Sequence, residues 1–163
     1  MSGDSLAPNE LRTTWEEIMT EHDERWVLNR LIAICRDGER GFRYAANHVR
    51  NPTVKALFLE IASQREQFAS TLLPQAQRLG GASESDGSVA AALHRGWMTI
   101  KDTVGAHEDA AIIREAERGE RIALGAYEDA LDGMLPPGAR DLIEQQCAVV
   151  RHSHNRVHAL LVS

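Results

Sequence analysis

IIREAERGERIALGAYEDALDG, from Ile112 to Gly133, decides how this chain folds. Ile113, Leu124, Tyr127 and Leu131 recur at the three-and-four spacing of one helix face. Glu117 and Glu120 fall on that same face, where the helix turns towards a core. The pattern predicts a helix from about His107 to Asp132, ended by Gly133. Upstream, Asn51-Pro52 supplies an N-cap followed by a proline at the first helical position. A helix is expected from there to Leu79, stopped by Gly80-Gly81, with Pro74 kinking its last turns. A third helix is expected from about Asp23 to Val49. A fourth opens at Pro136-Pro137 and continues to about Val162.

Two helical hairpins result, each closed by a short loop and therefore antiparallel. Between them lie a flexible stretch, GGASESDG from Gly80 to Gly87, and a shorter helix capped by Ser88 and running to about Val104. That helix has Val89, Leu93, Trp97 and Ile100 on its apolar side. A connection of this length can cross the whole bundle. Two hairpins joined by one long crossover make an all-α, ferritin-like four-helix bundle. Residues 26–163 form this domain. Residues 1–25 are an extension in which Pro8-Asn9 can open a short helix with Leu11, Trp15 and Ile18 on one side.

The composition agrees. The 163 residues suit one domain, and 43% hydrophobic with 26% charged residues is a globular balance. A net charge of −6 makes a nucleic-acid partner a poor expectation. No run of 18 apolar residues exists to span a membrane. MSGDSLAPNE has neither the basic nor the apolar region of a signal peptide, and Cys35 and Cys147 do not make a disulfide framework, so a cytoplasmic location is expected. There is no glycine-rich phosphate loop, nucleophile elbow or CxxC pair to support a kinase, hydrolase or thioredoxin reading.

The informative feature is charge inside the apolar stripes. The first helix reads Leu28, Leu31, Cys35, Glu39, Phe42, Ala46, Val49. The second reads Leu59, Ala62, Glu66, Ala69, Leu73. The third carries Glu117 and Glu120, and the fourth reads Ile143, Cys147, Val150, His154, Val157, Leu161. Each break lies near mid-helix, where a bundle brings them into one layer. Buried carboxylates without partners cost several kcal/mol each against a fold stability of only about 5–15 kcal/mol, so four inward Glu demand compensation. Two divalent cations would neutralise four carboxylates, and Glu with His from facing helices is a di-iron or di-manganese ligand set. The competing expectation is an ion-pair network drawn from Arg65, Arg118, Arg121 and Arg151. His154 and His158 are also spaced to share a zinc ion, though no further ligand is evident. Gly38, Gly41, Gly119 and Gly125 beside these positions suggest a close neighbour, whether a helix, a bridging side chain or the crossover. A weak repeat, Glu39-Arg40-Gly41 against Glu117-Arg118-Gly119, relates the two hairpins.

The segments LNRLIAICRDGERGF, QREQFA, SVAAALHRGWM, EAERGE and RHSHNRV resemble a bacterial ferritin-like family of unknown function. The likeness runs from about Trp26 to Leu161. It implies the ferritin-like fold and a metal site. In the wider superfamily the first and third helices each give a Glu, and the second and fourth each give a Glu-x-x-His pair. The resemblance then assigns Glu39, Glu66, Glu117, Glu120 and His154 as metal ligands. Ala69 stands where a His is usual, and Arg151 where a Glu is usual. Those departures argue against an efficient ferroxidase and for a single-metal or asymmetric site.

Two functions follow as expectations. In the first, the bundle binds iron, or manganese, and handles O2, peroxide or iron under stress. In the second, it is a metal-free structural or protein-interaction module, a monomer or homodimer, with Trp15 and Trp26 near its contact surface.

Overall fold

A computed structural model describes residues 8–81 and 109–163, with side chains from Glu24 onward. Four helices and no strands occur among these residues: α1 (Pro8–His48), α2 (Pro52–Arg78), α3 (Asp109–Asp132) and α4 (Ala139–Val162). Nothing in the sequence breaks the chain between His22 and Arg25, and the helix expected from about Asp23 is continuous with the one that Pro8-Asn9 opens. α1 is one unbroken helix of 41 residues that passes through the expected boundary at residues 25 and 26. Nothing in that stretch removes a backbone donor, so propagation continues once the helix has nucleated. The fourth helix begins at Ala139, because Pro136 and Pro137 precede a left-handed Gly138 at its cap. α2 continues past Pro74 to Arg78. The expected helix from Ser88 to Val104 lies outside the described residues.

Local chemistry sets the turns. The Asn51 side chain accepts hydrogen bonds from the Thr53 and Val54 amides at 2.9 and 3.3 Å, as an N-cap should. The two carboxylate oxygens of Asp109 accept from the Arg50 and Asn51 amides at 2.9 and 3.0 Å. The start of α3 is thereby tied to the α1–α2 turn. Gly80, at φ +103°, lets the chain turn out of α2 where a side chain would strain. Asn51→Ala should cost about 1 kcal/mol of stability, read as a lower urea midpoint with an unchanged slope. A midpoint equal to wild type would show that the cap is idle.

Cross-helix contacts give the helix directions. Arg43 of α1 meets Glu66 of α2, and Tyr127 of α3 meets Gln146 of α4. Cys35 meets Tyr127, while the other end of α1 meets Asp109, so α1 and α3 are antiparallel. Glu60 meets Arg156 and Thr71 meets Gln146, so α2 and α4 are antiparallel too. α2 and α3 therefore run in the same direction. The chain between them starts at one end of the bundle and finishes at the other.

The core falls into two apolar clusters. One gathers Leu28, Leu31, Cys35, Leu72, Tyr127 and Ile143. The other gathers Phe42, Phe58, Ile61, Ile112 and Val157. Positions 38–39, 65–66, 117–120 and 153–154 lie between them, and the polar residues stand there.

Candidate functional site

Arg65 and Glu120 occupy the middle of this layer, each with a side chain only 1% exposed. Arg65 Nη2 donates to both carboxylate oxygens of Glu120, at 2.6 and 2.7 Å. The pair crosses the bundle from α2 to α3. Gly38 of α1 makes room for it: a Cβ there would lie 3.4 Å from Arg65 Cγ. Burial works to lower the Arg65 pKa, but the groups around it, Glu120 first, together hold the guanidinium above its ordinary value. Arg65 is thus a fixed cation and Glu120 its counter-ion. The guanidinium also lies 5.5 Å from the Phe68 ring centre. Arg65 Nε and Nη1 are buried without a hydrogen-bond partner.

A neutral chain of polar groups runs beside the pair. Cys35 Sγ lies 3.1 Å from the Tyr127 hydroxyl, and that hydroxyl donates to Gln146 Oε1 at 2.7 Å. Gln146 Nε2 donates to the Thr71 hydroxyl at 2.9 Å. Burial pushes the Cys35 thiol up and the Tyr127 phenol well up, so both keep their protons at neutral pH. Both cysteines are buried and free, and a buried protonated thiol is a small hydrophobe rather than a nucleophile.

The remaining expected ligands are dispersed around the layer. Glu117 Oε1 lies 3.1 Å from His154 Nε2 and 3.6 Å from His158 Nδ1, and its other oxygen lies 3.8 Å from Arg121. Glu39 and Glu66 are joined by Arg43, which reaches each at 3.0 Å. The placement of Glu66 corrects the expected α2 stripe, because its side chain is 57% exposed. The inward residue is its neighbour Arg65, on the line Phe58, Ile61, Arg65, Ala69, Leu72. Arg151, expected near the layer, turns outward to Glu128. Arg118 pairs with Glu115. Gly125 has open space where a close neighbour was expected.

The structure brings Glu117 and His154 together. It gives Glu120 to an arginine and sets Glu39 and Glu66 apart from both. The Glu120 carboxylate is taken by the Arg65 guanidinium, and Glu39 and Glu66 share Arg43, so these contacts do not gather the five expected ligands into one cluster. Among the described residues, no three His, Cys, Asp or Glu side chains are grouped to hold a metal ion. No described helix is long and apolar enough to cross a membrane. Arg65 was expected inside only through the competing ion-pair network, and Gln146 was not expected there. Their signal was positional, since both recur with apolar neighbours at helical spacing. An Arg is almost never fully buried unless paired, so its partner had to be seen first.

No curated protein matches the chain. A family match does, and it covers α1, α2 and α3, taking in the Arg65–Glu120 pair and the residues ahead of Trp26. Over residues 9–133 the chain belongs to the family described as a domain of unknown function, DUF2383.

Proposed function

We propose that this chain is a ferritin-like bundle working as a metal-independent structural and protein-interaction module. The observation that carries this reading is the Arg65–Glu120 pair at the centre of the layer. A guanidinium held there performs the neutralisation that divalent cations perform in carboxylate-bridged bundles. The same-way run of α2 and α3, with the long connection it requires, supports the ferritin-like arrangement. Two free buried thiols suit the reducing cytoplasm. The partner is a second copy of the chain or another protein.

A second reading keeps a metal. Glu117 and His154 from α3 and α4 are in contact, and iron or manganese on an asymmetric site there would supply redox chemistry with O2 or peroxide. His154 would be its imidazole ligand and Glu117 its carboxylate. One experiment separates the two. The metal-free protein is purified without a metal-affinity tag, then melted with and without iron(II) or manganese(II). The module reading expects an unchanged Tm and no metal retained after gel filtration. A rise in Tm that grows with metal concentration, and that Glu117→Ala abolishes, would replace it with the metal reading.

A further inference from the structure

We propose that the N-terminal arm of α1, residues 8–24, docks a second copy of this chain, the two arms pairing antiparallel around Ile18. This names the surface and the partner of the interaction module, and it rests on that reading. The bundle ends near Arg25, whose guanidinium lies beside Gly80 at the end of α2. On α3, Asp129 pairs with Arg30 only a few residues before that helix stops at Asp132. α1 begins at Pro8 and is unbroken, so the arm runs about 25 Å past the ends of the other described helices. A lone helix of this length is marginal in water and gains from a partner.

The periodicity of the arm sets its apolar face apart from the core. Leu28, Leu31 and Cys35 are buried on the core-facing line of α1. At about 100° per residue, Trp26 stands about 160° round the helix from Leu28. Trp26 is accordingly 54% exposed, its ring centre 5.5 Å from the Arg30 guanidinium. Positions Leu11, Trp15, Ile18 and Met19 share the Trp26 face within an arc of about 100°. The core-facing line instead continues upstream as Glu21, Glu17 and Glu10. Carboxylates at those positions call for water, so the arm does not extend the bundle core. Its apolar stripe lies on the side away from the described bundle and runs into an exposed tryptophan.

Spacing and charge point to a second arm as the occupant. The stripe is close to palindromic: Leu11 with Trp26, Trp15 with His22, and Ile18 with Met19 lie at equal distances from its centre. An antiparallel two-fold pairing therefore sets each tryptophan level with a smaller side chain of the other copy. The cations beside the stripe are Arg12 and Arg25. By helical register Arg12 shares a flank with Asp23, and Arg25 shares the other flank with Glu10. Like flanks meet in an antiparallel pair. The same pairing then brings Arg12 to the level of Asp23 of the second copy, and Arg25 to the level of Glu10. A parallel pairing would set Arg12 level with Arg12. Paired over about 25 Å, two arms bury close to the roughly 1,000 Å² that a specific interface needs, so the dimer is weak and reversible.

The test is sedimentation equilibrium of the full chain, kept metal-free with EDTA. A reversible monomer–dimer mixture is expected, and Trp26→Ser should weaken the dimer at least tenfold while the circular dichroism stays helical. Arg12→Glu should also weaken it, and Arg12→Glu with Asp23→Arg should restore it. Cysteine substitution reads the orientation, since the native Cys35 and Cys147 are buried. Under mild oxidation Ile18→Cys should join two chains, whereas Leu11→Cys should not. A chain that stays monomeric at every concentration, a dimer indifferent to Trp26→Ser, or equal crosslinking at both positions would overturn the proposal. A monomer that also takes up no metal would leave the module reading in place, with another protein as its partner. A metal-dependent rise in Tm would remove that reading whether or not the arms pair.

Discussion

Glu120→Ala should destabilise the fold by about 3–5 kcal/mol, because it strands the Arg65 charge in a dry core. That is a large part of the roughly 5–15 kcal/mol that holds an ordinary domain together. Arg65→Met should cost a similar amount for the mirrored reason, leaving a buried carboxylate without its counter-ion. The decisive variant combines the two changes. Arg65→Met with Glu120→Leu replaces the pair by apolar side chains of comparable reach. The double variant should be at least as stable as wild type, and up to about 4 kcal/mol better, since desolvation of two ions is no longer required. Urea denaturation of the four proteins completes the cycle, with coupling well above 1 kcal/mol expected for residues in direct contact. A double variant as unstable as either single one would mean that Glu120 balances something besides Arg65. The metal reading would then regain its best carboxylate.

The second large effect is a loss of stability in alkali. Cys35 and Tyr127 have ordinary pKa values of 9.0 and 10.0, and burial raises both in the fold. The unfolded chain releases these protons at the ordinary values, while the folded chain holds them. Stability is therefore intact below about pH 9 and falls as pH rises towards the folded values. Each group contributes about 1.4 kcal/mol per pH unit while only the unfolded chain is ionised. The urea midpoint should decline gently above pH 9 and more steeply above pH 10. Tyr127→Phe gives up a hydrogen bond to Gln146, at about 1 kcal/mol near neutral pH. In exchange it removes the steeper part of the alkaline decline. Parallel wild-type and variant curves from pH 9 to 10.5 would show that the phenol is not held neutral by the core.

Much of this architecture was legible in local signals. Asn51-Pro52 and Gly80-Gly81 bound α2 as their backbone chemistry requires, and the recurrence of Ile113, Tyr127 and their neighbours marks α3. Even the polar layer was visible, because Glu39, Glu117, Glu120 and His154 interrupt their stripes near the same height. Glu66 marks where this reading slips. One residue along a helix is a rotation of about 100°, so an error of one position exchanges an inward group for an outward one. The alternation of small and apolar residues around α2 fits either phase.

What the amino-acid order determined by itself was the set of helices, their turns and a charged level halfway along them. These depend on neighbours three or four residues away, which the chain carries in its own periodicity. The tertiary structure alone decided which charge meets which. Arg65 and Glu120 are 55 positions apart, and Glu117 and His154 are 37 apart. A buried ion is tolerable only with its partner in place, and that partner is fixed by how α2, α3 and α4 are phased around a common core.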